Sequence, residues 1–251
     1  MNFTNKTAIV TGAASGMGFL FAQSFASLGG NVVMCDVNEE RLFSVADEIN
    51  SKYIGKAIGV MCDVRDYAQV SNAVAKAAEN FGTVDVMVNF AGGTARRMLN
   101  VDSGLELPDV PIDVFDWGID VNLKGPFYFA HAVLKPMREQ KSGLIINIGS
   151  ITGAEGSSYG PDYATSMAGL MYGLTKSIAQ YGAIYNIRCV CVSPGPVLTR
   201  EAMAGMKTLI GRAAEPQEII DLCLFIASEK GQFINGENIM IDGGRNAMQR
   251  G

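Results

Sequence analysis

The chain alternates short runs of apolar residues with longer segments in which apolar residues recur at helical spacing. The apolar runs predict seven strands, at 6–11, 31–36, 57–62, 84–89, 143–149, 187–193 and 238–241. The longer segments predict helices near 16–29, 38–52, 66–81, 113–139, 162–183 and 215–229. Alternating strands and helices are typical of a parallel sheet covered by helices on both faces. We therefore predict a seven-stranded, doubly wound α/β fold that forms one domain over residues 1–251.

Composition excludes several classes of function. Asp and Glu outnumber Lys and Arg by 25 to 20, which gives a net charge of −5, so no basic field would attract nucleic acid or an anionic membrane. No stretch reaches the roughly 18 uninterrupted apolar residues of a spanning helix. The five cysteines are an odd and scattered set, which favours a reducing compartment over a disulfide framework. We expect a cytoplasmic protein without nucleic-acid or membrane partners.

The single histidine, His131, limits metal and hydrolase chemistry. A zinc site would have to combine it with cysteines that mostly lie in apolar runs and have no CxxC spacing. In a Ser-His-Asp hydrolase it would be the only possible base, but no GxSxG nucleophile elbow directly joins a predicted strand to a helix. We predict that His131 is an ordinary helix residue, that the protein has no metal site, and that a hydrolase is the weakest candidate.

A glycine-rich segment, TGAASGMG, joins the first strand to the first helix. Gly12, Gly16 and Gly18 would let the backbone approach a pyrophosphate whose charge faces the amides of the helix N-terminus. The spacing differs from the usual G-x-G-x-x-G of dinucleotide-binding proteins. Its position between strand and helix nevertheless predicts a dinucleotide site.

Asp36 ends the second strand, 18 residues after Gly18. A carboxylate there can accept hydrogen bonds from the adenosine ribose and would repel a 2′-phosphate. Neither Ser15 nor Val37 offers an arginine to receive that phosphate. We therefore expect NAD rather than NADP, although Asp36 could also be a simple turn residue before Asn38.

Several motifs together, in this order, resemble the short-chain dehydrogenase/reductase family along essentially the whole chain. They are TGAASGMG, Asp63-Val64, NFAG at 89–92, VNLKG at 121–125, NIGSITG at 147–153, Tyr163 and PGPVLT at 194–199. The resemblance implies a Rossmann-like single domain, a homotetramer, and hydride transfer between a nicotinamide cofactor and an alcohol or ketone. One small departure is Phe90, where the family commonly has a second asparagine.

The resemblance also implies which residues contact the cofactor. Asp63 and Val64 would contact the adenine, the NFAG segment would line the floor of the site, and the PGPVLT segment would hold the nicotinamide amide. The expected cofactor-binding residues are Gly12, Ser15, Gly16, Met17, Gly18, Asp36, Asp63, Val64, Asn89, Ala91, Gly92, Tyr163, Pro194, Val197 and Thr199.

Catalysis in this family uses Asn, Ser, Tyr and Lys, and the first three match Asn122, Ser150 and Tyr163. Ser150 would hydrogen-bond the reacting oxygen, Tyr163 would transfer the proton, and Asn122 would hold a water in the proton relay. Each residue also has a structural alternative: Ser150 could end a strand, Tyr163 could be a core aromatic, and Asn122 could stabilise a helix kink.

The fourth residue departs from the family pattern, because YATSM places Met167 where Tyr-x-x-x-Lys has lysine. Residues four apart share a helix face, so a lysine there would lower the pKa of the tyrosine. Met167 would preserve the fold but weaken the chemistry. We expect a Lys-to-Met variant with impaired catalysis. The alternatives are a natural NAD-binding sensor or scaffold, and a natural enzyme with slow turnover.

Two loops that follow strand ends, at 93–112 and 195–212, are predicted to select the substrate. Arg96 and Arg97 could bind a carboxylate or phosphate, or could be solvated charges or subunit contacts. A hydroxyl-rich segment at 155–159 suits a polyol or phenol, whereas Met203, Met206 and Leu209 suit a steroid-like ligand. The sequence leaves these substrate classes open.

Overall fold

The computed structural model describes residues 1–102 and 104–248. Within these ranges, seven parallel strands form one sheet in the order β3-β2-β1-β4-β5-β6-β7. The strands are β1 (Thr7–Thr11), β2 (Asn31–Asp36), β3 (Ala57–Met61), β4 (Val86–Asn89), β5 (Gly143–Ile148), β6 (Ile187–Pro194) and β7 (Asn238–Ile241). The predicted doubly wound, seven-stranded α/β fold is confirmed, and every predicted strand lies within two residues of its observed ends.

Helices cover both faces of this sheet. The main helices are α1 (Gly16–Ser27), α2 (Glu39–Lys52), α3 (Tyr67–Phe81), α5 (Ile112–Ile119), α6 (Gly125–Gln140), α8 (Pro161–Ala168), α9 (Thr175–Gly182) and α10 (Pro216–Ala227). Two single-turn helices, α4 (Ala95–Met98) and α7 (Thr152–Glu155), lie in the loops after β4 and β5. None of the helices in the described ranges is long and apolar enough to span a membrane.

The period-2 pattern of the strands divides the core into two layers. In β1, Ala8 and Val10 pack on one face of the sheet with Phe21 of α1, whereas Ile9 packs on the other face with Val70 of α3. All five of these side chains are fully buried. Both faces of the sheet are therefore apolar, as the continuous apolar runs of the strands predict.

Local sequence signals explain where the helices begin and end. The Asp66 side chain accepts hydrogen bonds from the amides of Ala68 and Gln69 at the start of α3, and Gly82 ends that helix with φ +77°. At α10, Glu215 and Glu218 form a reciprocal capping box, with proline in the first turn.

Two long helices predicted from the sequence are each interrupted by a π-helical turn. The segment predicted at 113–139 contains a π-turn at Asp120–Lys124, and the segment predicted at 162–183 contains one at Gly169–Leu174. Side chains stabilise the changed backbone: Thr175 Oγ1 donates to the Leu170 carbonyl at 2.7 Å, five residues back. A π-turn inside a helix frequently marks a functional site.

The order of the strands reverses between β1 and β4, which pair with each other although β1 is followed in the chain by β2. In open parallel sheets, ligands bind outside the carboxyl ends of the strands at this switch point. The glycine-rich segment after β1 and the NFAG segment after β4 both lie there. The fold therefore brings the predicted cofactor residues to one edge of the sheet.

Candidate active site

The loop between β1 and α1 has the shape of a cradle for a phosphate group. Gly12 and Gly16 have φ values of +64° and +57°, a backbone conformation that residues other than glycine rarely adopt. A Cβ atom on Gly18 would lie 2.2 Å from the Gly12 carbonyl oxygen, so only glycine permits this close turn. Open space surrounds Gly16, and Ser15 beside it is exposed.

The first turn of α1 completes the cradle. Ser15 is the residue before the helix, and its side chain makes no capping hydrogen bond, so the first amides of α1 are available to an anion. Met17 is partly buried and packs on the core below. The geometry fits the pyrophosphate of a dinucleotide, with amides and a helix dipole facing the negative charge.

Asp36 accepts two backbone hydrogen bonds, and the one from Ala14 ties it to this cradle. Its carboxylate accepts one from the Ala14 amide and one from the Asn38 amide, both at 3.0 Å. Each carboxylate oxygen keeps a free lone pair. Asp36 thus combines the turn role considered from the sequence with a capacity to bind ribose hydroxyls.

Asp63 and Val64 follow the carboxyl end of β3 and so lie at the same edge of the sheet as Asp36. Asp63 pairs with Arg65, with 2.6 Å between carboxylate and guanidinium, and this contact lowers the pKa of the Asp63 carboxyl. Val64 is buried and packs against Gly125, where a Cβ atom would lie 2.8 Å from the valine methyl. Val64 therefore also fixes the start of α6.

The NFAG segment forms the floor of the edge between β1 and β4. Asn89 is buried and donates from Nδ2 to Asn147 Oδ1 of β5 at 2.9 Å. The Ala91 amide donates to Thr11 Oγ1 at 3.0 Å, and Gly92 is exposed. Asn89 thus braces the sheet from within, whereas Gly92 lies exposed after the strand end.

The PGPVLT segment leaves β6 beside the catalytic candidates. Pro194 accepts a hydrogen bond from the Ile151 amide at 2.9 Å. Val197 is buried and pairs with Ala214, and Thr199, two residues further on, is exposed. This part of the loop is therefore anchored at both sides.

Ser150 and Tyr163 converge at this edge. Ser150 Oγ lies 3.2 Å from Thr152 Oγ1 and accepts from the Thr152 amide at the same distance. Burial raises the pKa of Tyr163, whereas the nearby Ser150 hydroxyl and then the charges of Arg200 and Arg97 lower it. The net effect is a raised pKa, so the neutral phenol dominates near pH 7.

Asn122 lies in the π-turn between α5 and α6 and is 1% exposed. Its Oδ1 accepts from the Gly93 amide at 2.8 Å, and its Nδ2 donates to the carbonyls of Gly93 and Gly118 at 3.0 and 2.9 Å. These contacts match the helix-kink alternative. They also attach the loop after β4 to the helices behind the site.

Met167 lies one turn after Tyr163 on α8. It is 3% exposed and belongs to a small apolar cluster with Leu170, Met171 and Cys191, against which Tyr163 packs. Position 167 therefore faces the tyrosine, as the helical spacing predicts. A buried, neutral thioether therefore lies beside Tyr163.

Several other sequence predictions concern residues outside this site. His131 is on α6, where Nδ1 lies 2.6 Å from the Tyr67 hydroxyl, which agrees with its role as an ordinary helix residue. All five cysteines are buried and free, and burial raises the pKa of Cys191 to about 12. Among residues 1–102 and 104–248, no group of His, Cys, Asp and Glu could hold a metal ion.

Two features of the site were not predicted from the sequence. Arg200 follows Thr199, and its charge reaches Tyr163, although no motif marks it. Glu155, proposed as part of a hydroxyl-rich wall, instead forms an ion pair with Arg245 at 3.1 Å. Arg245 follows the last strand, so only the tertiary structure reveals this contact.

The switch-point location, the glycine cradle and the Ser150–Tyr163 pair define a dinucleotide-dependent oxidoreductase fold. Residues 6–208 match the family model "short chain dehydrogenase". The chain belongs to the short-chain dehydrogenase/reductase family, and the resemblance stated from the sequence is confirmed at this level.

The relatives differ in substrate and cofactor. The chain is 40% identical over 252 residues to trans-4-hydroxycyclohexanecarboxylate dehydrogenase of Sinomonas cyclohexanicum, covering 96% of this chain and 93% of that protein. The crystal structure of a 3-oxoacyl-[acyl-carrier protein] reductase with bound NAD from Brucella melitensis superimposes with a TM-score of 0.86 at 28% identity, covering 96% and 91% of the two chains. L-sorbose reductase of Gluconobacter frateurii, complexed with NADPH and L-sorbose, shares the fold with a TM-score of 0.88 at 24% identity and 99% coverage of each chain.

Proposed function

We propose that this protein is an NAD-dependent oxidoreductase that interconverts a secondary alcohol and a ketone. The observation that carries the proposal is the convergence of Ser150 and Tyr163 at the sheet edge that also holds the glycine cradle. NAD, when bound, accepts or returns the hydride. The residues expected to hold it are those named from the sequence, from Gly12 in the cradle to Thr199 after β6.

Proton transfer is assigned to Tyr163. In alcohol oxidation its phenolate removes the hydroxyl proton, and in ketone reduction its phenol returns a proton to the developing alkoxide. Ser150 donates a hydrogen bond to the same substrate oxygen and so fixes its position. Asn122 holds the loop and helices around this pair and is proposed to hold a water in the proton relay.

NAD is preferred over NADP in this proposal because of Asp36. Its carboxylate lies in the loop that would receive the adenosine ribose, fixed there by the amides of Ala14 and Asn38. A 2′-phosphate would place two negative groups together. Of two solved structures with this fold, one is complexed with NADPH and the other has bound NAD, and the proposal for NAD in this chain rests on Asp36.

Met167 supports a proposal of impaired catalysis. The cationic group that the family places beside its tyrosine is replaced by a buried, neutral thioether. The same substitution favours a second candidate function, an NAD-binding sensor or scaffold without turnover. The two candidates share the cofactor site and differ in whether Tyr163 moves a proton.

The test is absorbance of reduced nicotinamide with NAD or NADP and a panel of secondary alcohols. The panel contains 4-hydroxycyclohexanecarboxylate, other hydroxy acids, polyols, hydroxysteroids and phenolic alcohols. Turnover by this chain, or only by its Met167→Lys variant, supports the oxidoreductase. If both bind NAD and neither reacts, the sensor or scaffold replaces it.

Two further proposals concern location and oligomeric state; the first comes from the cysteine pattern and the second from the family resemblance. A cytoplasmic location agrees with the reduced state of the five buried cysteines. A homotetramer is supported by large apolar side chains that remain exposed in the monomer, such as Phe127 at 46% and Tyr172 at 47%. Sedimentation velocity gives the oligomeric state directly, and a monomer at micromolar concentration would overturn the tetramer.

A further inference from the structure

The loop after β4 carries two adjacent arginines whose environments differ. Arg96 is 3% exposed; its Nη1 donates to the Leu105 carbonyl at 2.9 Å, and its guanidinium lies 4.6 Å from the centre of the Tyr159 ring. These contacts tie two parts of the loop region together. Arg96 therefore has a structural role and is not free to bind a ligand.

Arg97 is exposed, and its guanidinium lies against Gly93. A Cβ atom on Gly93 would be 3.1 Å from Arg97 Nη2. Gly93 is itself held by Asn122 through two hydrogen bonds, at 2.8 and 3.0 Å. The guanidinium is thus placed next to a backbone segment that is fixed to the active-site helices, and its charge reaches Tyr163.

Arg97 has no internal partner in the part of the chain that the structure describes. Its side chain takes part in no ion pair or hydrogen bond there. Two carboxylates that could pair with Arg97 have other contacts. Asp102, in the same loop, accepts a hydrogen bond from the Gly104 amide at 2.8 Å, and Glu155, after β5, pairs with Arg245. An unneutralised cation therefore lies beside the proposed reaction site.

We propose that Arg97 binds a carboxylate group of the substrate, which makes the protein selective for hydroxy- and oxo-carboxylic acids. The assignment rests on the proposed function, because the hydroxyl or keto group must lie at Ser150 and Tyr163 while the carboxylate reaches Arg97. A guanidinium can make two parallel hydrogen bonds to a carboxylate, which fixes orientation as well as charge. Arg200, on the opposite loop, adds to the same positive field.

A binding experiment tests this assignment without turnover. Cyclohexanecarboxylate and cyclohexanecarboxamide have the same ring and differ in charge, and neither has a hydroxyl group to oxidise. Calorimetric titration into the protein with NADH should show tighter binding of the carboxylate. Arg97→Gln should reduce the ratio of the carboxamide Kd to the carboxylate Kd by about 10- to 100-fold, as expected for the loss of a charge-assisted hydrogen bond.

Arg138→Gln is the matched control, because it removes the same charge from the far end of α6, where the guanidinium lies 5.9 Å from the Tyr185 ring centre. It should leave the preference unchanged. Arg97→Lys should retain part of the preference, since the charge remains but the paired hydrogen bonds are lost. Thermal melts of all variants exclude a folding defect.

Steady-state kinetics distinguish a failure of the carboxylate assignment from a failure of the proposed oxidoreductase function. In whichever form turns over, this chain or Met167→Lys, the added substitution Arg97→Gln should raise KM for a hydroxy acid 10-fold or more, which is about 1.4 kcal/mol per factor of ten. KM for the primary amide of the same acid should not change. Equal binding of carboxylate and carboxamide, or a preference that survives Arg97→Gln, overturns the assignment. If the preference depends on Arg97 and no alcohol reacts, the anion site stands and the oxidoreductase proposal fails.

Discussion

Met167→Lys is the most informative substitution in this protein. Tyr163 and position 167 are one turn apart on α8, and both side chains pack in the same small cluster. Side chains four residues apart share a helix face, so a lysine there could bring its ammonium group near the tyrosine oxygen, and we take a separation of about 5 Å for the calculation. At present, burial raises the pKa of Tyr163, and the Ser150 hydroxyl and then the charges of Arg200 and Arg97 oppose it.

Coulomb's law gives the size of the expected effect. At about 5 Å and an effective dielectric constant of about 20, a unit charge favours the phenolate by roughly 3 kcal/mol, which is about a hundredfold in its ionisation equilibrium. The higher dielectric is appropriate because Tyr163 is partly accessible to solvent. Burial of the ammonium at a position that is 3% exposed reduces this gain and lowers thermal stability.

The assay is the rate of alcohol oxidation with saturating NAD between about pH 6 and about pH 10, the range that spans the ordinary ionisation of tyrosine. Because the base form is the phenolate and its pKa is raised, the rate of the present chain should still increase at the highest pH. Met167→Lys should reach its plateau at lower pH and be about a hundredfold faster near neutrality.

Two controls separate charge from packing. Met167→Leu keeps a neutral side chain of similar volume in the cluster, and Thr165→Lys adds the same charge at an exposed position of α8. Neither should alter the pH profile. If Met167→Lys gives the same profile and rate as Met167→Leu, then the electrostatic argument about Tyr163 is wrong.

Three other substitutions test the site residue by residue. Tyr163→Phe should lower residual turnover by about 100-fold or more without a change in the thermal midpoint, and unchanged kinetics would remove Tyr163 from the mechanism. Asp36→Ser should weaken NAD binding and improve NADP binding in fluorescence titrations, whereas an unchanged ratio of the two affinities would contradict the ribose assignment. Gly18→Ala should destabilise the fold by about 1–3 kcal/mol in denaturant melts, because its Cβ would lie 2.2 Å from the Gly12 oxygen. Gly173→Ala, with no atom within 4 Å of the added Cβ, is the control for that loss.

The sheet was predictable from the sequence because its strands are buried on both faces. A parallel strand covered by helices reads as an unbroken apolar run, and the predicted bounds of β2 and β7 equal the observed ones. The glycine cradle was predictable for a related reason. A tight strand-to-helix turn needs a backbone conformation that glycine adopts easily, so glycines at that place in the sequence indicate the turn.

The interruptions of the long helices were not predictable from periodicity. Asn122 stabilises its π-turn through Gly93, 29 residues earlier, and Thr175 accepts a hydrogen bond from Asn147 of β5 at 3.0 Å. Long-range polar contacts decide these backbone changes, and a local pattern contains no information about them. The burial of Asp162 was also not predictable from the local pattern. Asp162 is 3% exposed and packs against Gly118 of α5, although aspartate is usually found in contact with solvent.

The proposed anion site and the residue at position 167 are linked by electrostatics. The cations that reach Tyr163 come from Arg97 and Arg200, both on loops of the substrate side. A carboxylate bound to Arg97 would offset part of that charge, so a bound hydroxy acid leaves the phenolate less stabilised than a neutral alcohol does. A lysine at 167 would act from α8 and would not be neutralised by the substrate. In the present chain, the pH profile for oxidation of a hydroxy acid should therefore lie at higher pH than the profile for its primary amide. Met167→Lys should move both profiles to lower pH by a similar amount and keep the difference between them, and identical profiles for the two substrates would show that Arg97 and Tyr163 act independently.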